Sequence, residues 1–177
     1  MQLINLPNSL TILRVLALPF CAYALFKNGG NDSTWQIIAW CGFFLTGLTD
    51  FLDGKLARAR KEVTAFGTFL DPVADKAAIG TAMIGLSIQD KLWWWVTAVI
   101  LIREIAVTAL RLFVIKGGVI PASKGGKLKA MCQGFGVGFY ILPLPTWAHL
   151  PRDLLIAFTI GITLTTGFDY FKKALKK

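Results

Sequence analysis

Four carboxylates stand at fixed spacings in a stretch where carboxylates are costly. Asp50 and Asp53 close one long apolar run, Asp71 and Asp75 open the next, and together they are four of the ten acidic residues in a chain of 177. If residues 50–58 are helical, Asp50 and Asp53 are i, i+3 neighbours and Ala57 continues their stripe, while Asp71 and Asp75 are i, i+4 on the following helix. One helical hairpin can then bring all four to a single point. Carboxylates so gathered repel one another, and some of their pKa values rise unless a cation joins them. An all-oxygen set with no His or Cys nearby suits a hard ion, Mg2+ or Mn2+, rather than zinc. Two such ions nearly neutralise the cluster, an arrangement that clamps phosphoryl groups during displacement. Each aspartate alone also has a structural reading: Asp71 before Pro72 has the form of a helix N-cap, and Asp50 or Asp53 could pair with Lys55 or Arg58. For four together the functional reading prevails, because ionisable groups at membrane depth are expensive.

The elements that must carry these residues are set by an unusual composition: 55% of the chain is hydrophobic and 16% charged, with a mean hydropathy of +0.59. That excludes disorder and argues against a soluble globule. Apolar stretches able to cross a hydrocarbon core of about 30 Å fall near 7–27, 34–56, 72–89, 92–116, 127–146 and 153–172. The expectation is an all-α integral membrane protein of six transmembrane helices. A short amphipathic interfacial helix precedes them, in which Leu3, Ile4, Leu6, Leu10 and Leu13 alternate with Asn5, Asn8, Ser9 and Arg14 before the chain enters the bilayer at Val15. The start lacks the features of a cleaved secretory signal, so the first span is expected to be retained.

The net charge of +9 is explained by topology. Lys55, Arg58, Arg60, Lys61, Lys116, Lys124, Lys127, Lys129, Lys172, Lys173, Lys176 and Lys177 fall on one side of the predicted spans, against Lys27, Lys91 and Arg152 on the other. Basic residues accumulate in cytoplasmic loops, which places both termini and the four aspartates at the cytoplasmic side of the membrane. Nucleic acid is not needed to account for the basicity. Cys21, Cys41 and Cys132 are widely spaced in apolar runs, which suits neither a disulfide framework nor a zinc site. Gly134 and Gly138 form a G-x-x-x-G suited to close helix packing, and the GGK at 125–127 lacks the remainder of a Walker motif.

A second group of charges interrupts the fourth span. Arg103 and Glu104 sit within it and Arg111 follows, with Glu104 and Arg111 seven apart on one face and Arg103 near enough in angle to line the same pocket. Lys127 and Lys129 open the fifth span. With Arg103 and Arg111 they could hold a phosphate on a second substrate. The structural alternatives are an internal Arg–Glu pair that fastens the bundle and lysines that merely signal topology.

The run from Asp50 to Asp75 matches D-x-x-D-G-x-x-A-R-x8-G-x-x-x-D-x-x-x-D at every specified position: Asp50, Asp53, Gly54, Ala57, Arg58, Gly67, Asp71 and Asp75. This pattern resembles that of the CDP-alcohol phosphotransferases, the phosphatidyltransferases of phospholipid biosynthesis. The resemblance extends over the whole chain as one membrane domain, 1–177, and implies two divalent cations, Mg2+ or Mn2+, and a homodimer. It implies that Asp50, Asp53 and Asp71 hold one ion, that Asp50, Asp71 and Asp75 hold the other, and that Asp75 is the general base. It further implies that Gly54, Ala57 and Gly67 leave room for the nucleotide of CDP-diacylglycerol and that Arg58 reaches its diphosphate or ribose. Within the family, Pro7, Asn8, Leu10, Thr11 and Arg14, the run 71–76, the stretch 103–111 and the opening of the fifth span are similar to those of members whose acceptor is glycerol 3-phosphate. The implied reaction is transfer of a phosphatidyl group from CDP-diacylglycerol to sn-glycerol 3-phosphate, releasing CMP. An inositol phosphate acceptor is the alternative, and a divalent-cation transporter the competing class; a transporter would want its carboxylates nearer the bilayer midplane.

Overall fold

A computed structural model describes the backbone of residues 6–60, 65–114 and 124–175. Side chains at 6–8, 51–60, 65–66, 68–69, 111–114, 124 and 173–175 lie outside the described set. Six helices follow in order: α1 Leu6–Phe26, α2 Ser33–Arg60, α3 Ala65–Ile88, α4 Trp94–Val114, α5 Lys124–Ile141 and α6 His149–Leu175. No strand occurs among the described residues. Six apolar stretches have thus become six helices. Among the described residues, two segments, Ser9–Gly30 and Thr146–Lys172, are long and apolar enough to cross a membrane.

Two boundaries differ from the sequence expectation. Residues 6–26 form a single helix, with no break at Val15 between an interfacial part and a span. The third helix begins at Ala65, well before residue 72, so Asp71 and Pro72 lie inside it and Asp71 is not an N-cap. Pro72 has no N–H to give the carbonyl four residues back, and the apolar residues before it continue the helix nonetheless.

The helices divide into two compact units, one formed mainly by residues 1–90 and the other by 91–140 and 144–177. In the first unit α1 packs against both α2 and α3, more extensively than those two pack on each other. The reason is written along α1: Thr11, Arg14, Leu18, Cys21 and Leu25 are all buried and alternate at three- and four-residue steps, one continuous helical face. Glycines on the facing helices allow close approach. A Cβ at Gly42 would stand 2.7 Å from Cys21 Sγ, and one at Gly85 would stand 2.6 Å from Leu25 Cδ2. The chain leaves α1 through a left-handed turn at Asn28, Gly29 and Gly30, with φ of 53°, 69° and 73°. Asp32 then caps α2 by accepting from the backbone N–H groups of Thr34 and Trp35 at 2.9 and 3.2 Å.

In the second unit α4 packs along α6. The buried face of α4 carries Val96, Ile100 and Val107, and Arg103 falls in the same register. The buried face of α6 carries Ile156, Thr159, Thr163, Thr166 and Tyr170. On α5 the buried face carries Lys129, Gln133, Val137 and Tyr140. At the far end of α5, the Tyr140 hydroxyl donates to Asp153 Oδ1 at 2.7 Å, and the Arg152 guanidinium lies 4.0 Å from the Tyr140 ring centroid. Outward faces of both units are apolar: Leu16, Phe20, Ile102, Ile105, Leu154 and Phe168 are all exposed. Large hydrophobic surface of that extent belongs against lipid rather than water.

Candidate active site

Asp50 and Asp53 lie near the C-terminal end of α2, one turn apart, and Asp71 and Asp75 lie one turn apart on α3. The helical phase assumed for both pairs is therefore present. The described side chains of the set are tied down from α1. Arg14 Nη1 donates to Asp50 Oδ1 at 2.6 Å, and Thr11 Oγ1 donates to Asp71 Oδ1 at 2.8 Å. Thr11 and Arg14 are three residues apart and head the buried stripe of α1, so one helix face reaches a carboxylate on each of two neighbouring helices. The Arg14 side chain is 1% exposed and its Asp50 partner 40%. A buried guanidinium keeps its charge and needs a carboxylate beside it, so the pair anchors Asp50 as firmly as it satisfies Arg14. Asp75 is exposed, and Gly67 is buried one turn before Asp71.

The side chains of Asp53, Gly54, Ala57 and Arg58 lie outside the described residues, although their backbone is helical. Among the described residues, no three Asp, Glu, His or Cys side chains converge closely enough to hold an ion. The donor chemistry still fits a hard cation: the first unit contains no histidine, its aspartates offer only oxygen, and Cys21 is buried farther along α1. The ligand set named from the sequence therefore has suitable atoms in Asp50, Asp71 and Asp75, with Asp53 one turn from Asp50.

The basic group in the second unit is drawn together in part. Glu104 Oε1 accepts from Arg103 Nη1 at 2.6 Å and from Lys129 Nζ at 2.5 Å. Arg103 also donates through Nε to the Thr163 carbonyl at 3.2 Å and through Nη2 to Thr166 Oγ1 at 2.7 Å. Gly167 makes room for the Arg103 stem, since a Cβ there would stand 3.2 Å from Arg103 Cγ. One ionic hub thus joins α4, α5 and α6. Lys127 does not join it: two residues along a helix is a turn of about 200°, and Lys127 is exposed whereas Lys129 is buried. Arg111 continues the register of Glu104 two turns along α4, and its side chain lies outside the described residues.

Sequence reasoning missed Thr11 and Arg14 as partners of the aspartates. Their signal was present in the spacing 11, 14, 18, 21, 25, which carries an apolar stripe directly into two polar residues. It also missed that Gln133 of α5 and Thr159, Thr163 and Thr166 of α6 are buried.

The chain that carries these aspartate pairs on α2 and α3 also matches a family model. Residues 4–166 match that for CDP-alcohol phosphatidyltransferases, and the chain belongs to this family. A probable phosphatidylglycerophosphate synthase of Mycobacterium tuberculosis is 47% identical over 175 residues, covering 99% of this chain and 84% of that protein. The CDP-diacylglycerol--glycerol-3-phosphate 3-phosphatidyltransferase of Bacillus subtilis is 34% identical over 182 residues, covering 96% and 94%. The protein of the same description from Rickettsia felis is 33% identical, covering 97% and 96%.

Proposed function

We propose that this chain is an enzyme that transfers the phosphatidyl group of CDP-diacylglycerol to sn-glycerol 3-phosphate, giving phosphatidylglycerol phosphate and CMP. The observation that carries this reading is the complete aspartate pattern on α2 and α3, with Asp50 and Asp71 seated by Arg14 and Thr11. The relatives, similar over nearly their whole length, bear that reaction in their names.

In this reading Asp50, Asp53 and Asp71 hold one divalent cation and Asp50, Asp71 and Asp75 a second. When bound, Mg2+ or Mn2+ supplies Lewis-acid stabilisation of the diphosphate charge. Gly54, Ala57 and Gly67 admit the nucleotide and Arg58 engages its diphosphate or ribose. Asp75 takes the proton from the primary hydroxyl of glycerol 3-phosphate. The freed oxygen attacks the β-phosphorus, the bond from that phosphorus to the CMP oxygen breaks, and CMP leaves. Arg111 and Lys129 bind the acceptor's phosphate, in the company of Arg103. Orienting the attacking hydroxyl in this way is a large part of what such a site can contribute to rate.

The lipid substrate enters sideways from the inner leaflet, its acyl chains staying in the membrane. We further infer one membrane domain of six spans with an interfacial start, both termini and the site facing the cytoplasm across a bacterial inner membrane, and assembly as a homodimer. The excess of Lys and Arg on one side of the spans supports the orientation.

The test is CMP release from CDP-diacylglycerol by the purified protein, offered glycerol 3-phosphate, inositol phosphate, inositol or serine, with and without Mg2+ or Mn2+. Release with glycerol 3-phosphate alone, dependent on a divalent cation, is the expected result. Release with another acceptor and not with glycerol 3-phosphate reassigns the substrate, and no release with any acceptor removes the reading.

A further inference from the structure

The buried face of α1 changes character along its length. Leu18, Cys21 and Leu25 fill its middle and far end, where Gly42 of α2 and Gly85 of α3 let Cys21 and Leu25 pack closely. At the aspartate end the same face continues as Thr11 and Arg14, both buried. Apolar residues there would fasten three helices at least as well, since replacing a buried ion pair by packed apolar groups is often neutral or stabilising. Two polar side chains in an apolar seam call for a reason beyond stability.

Their targets supply one. Arg14 donates to Asp50 of α2 and Thr11 to Asp71 of α3, and both bonds go to Oδ1. A carboxylate held through one oxygen keeps a second oxygen with which to ligate. Neither carboxylate is closed off: the Asp50 side chain is 40% exposed, and Asp71 is half-buried. Thr11 and Arg14 are three residues apart, about 4.5 Å along the helix axis, so one face of α1 sets a carboxylate from each of two other helices beside the other. An aspartate side chain otherwise samples several rotamers, and a fixed donor removes that freedom before a cation arrives.

We propose that Thr11 and Arg14 are positioning residues for a divalent cation. They hold Asp50 and Asp71 in register across α2 and α3, so that one ion is shared between the two helices and bound more tightly than by unsupported carboxylates. Donors that orient a metal-ligating side chain commonly set its affinity by about ten- to a hundredfold. Thr11 is the cleaner of the two, because its hydroxyl orients without adding charge, whereas the Arg14 guanidinium also offsets one negative charge of the aspartate cluster. The inference rests on the proposed function insofar as it takes these aspartates as cation ligands, and it adds α1 to the elements that make the ion site.

The experiment measures Mn2+ binding to the full-length, detergent-purified, metal-free protein with no substrate present, from the electron paramagnetic resonance signal of unbound Mn2+. Thr11→Val keeps the shape of the side chain and removes the donor. Its Kd for Mn2+ is expected to rise about tenfold, and Thr11→Ser to restore the wild-type value. Arg14→Lys keeps the charge and changes the donor geometry, and it is expected to weaken binding by a similar factor. Because both donors serve one shared ion, the loss in the double variant is expected to fall short of the product of the two single losses.

An unchanged Kd in Thr11→Val overturns the inference, whether or not its metal-free melting temperature falls, because a bond that only fastens helices acts on stability alone. Single losses that multiply in the double variant put the two donors on separate ions and overturn the shared site. If the wild type binds Mn2+ but releases no CMP with any acceptor, the proposed function falls, and the Mn2+ measurements still decide the role of α1. A wild type that binds no Mn2+ overturns the inference, and CMP release then judges the reaction separately.

Discussion

Arg14 and Asp75 mark two different demands on a charged residue in an apolar setting. Arg14 is buried and answered by Asp50, so its replacement by Met leaves the carboxylate without its partner. Because Asp50 is 40% exposed, water compensates part of that loss, and the expected destabilisation is about 1–2 kcal/mol rather than the larger figure for a fully buried pair. A thermal melt in detergent measures it. Asp75 is exposed and sits one turn from Asp71, open to a substrate as the proposed base role requires. Asp75→Asn is expected to reduce turnover at least a thousandfold, within the range general-base catalysis and ion binding together supply, while CDP-diacylglycerol binding is largely kept. Near-normal turnover in that variant would remove Asp75 from the base role. Chelation with EDTA is expected to abolish CMP release, and added Mg2+ or Mn2+ to restore it.

Helices deliver these residues through their faces, and the faces can be broken one at a time. Gly42 lets α2 approach Cys21 on α1; Gly42→Leu forces the helices apart at an expected cost of about 1–3 kcal/mol, and it loosens the face that presents Thr11 and Arg14. A drop in melting temperature with a parallel loss of CMP release is the expected outcome. The start of α2 depends on a titrating cap. Hydrogen bonds from the Asn28 side chain and from the backbone N–H groups of Trp35 and Thr34 hold the Asp32 carboxyl below the ordinary carboxylate range. A depressed folded-state pKa means that the stabilisation is fully present above the unfolded-state value, near 3.8, and is lost as the pH falls through the lower folded-state value. The melting temperature of Asp32→Ala should therefore lie below that of the wild type at neutral pH, and the difference should close under acid titration.

At the scale of the whole molecule, the apolar outer faces and the one-sided distribution of basic residues carry the proposed orientation. A single cysteine introduced near the C-terminus of a cysteine-free variant should resist an impermeant thiol reagent added outside intact cells and react once the inner membrane is opened; labelling from outside would reverse the topology. The helix count, the helical phase of the aspartate pairs and the family were legible in the chain alone, because apolar run length, i, i+3 and i, i+4 spacing and a fixed motif are all local properties. Charge partners were not legible. Asp50 has Lys55 and Arg58 close in sequence, yet its described partner is Arg14, thirty-six residues away. Lys127 and Lys129 look alike in the sequence, yet one is exposed and the other turned onto Glu104. Asp71 before Pro72 has the form of a cap, yet the helix starts six residues earlier. The sequence by itself determined which residues could do chemistry and which helices carry them. Only tertiary packing decided which buried charge meets which, because a charge in an apolar interior is stable only beside a partner, and that partner is chosen by the helix face that packs against it.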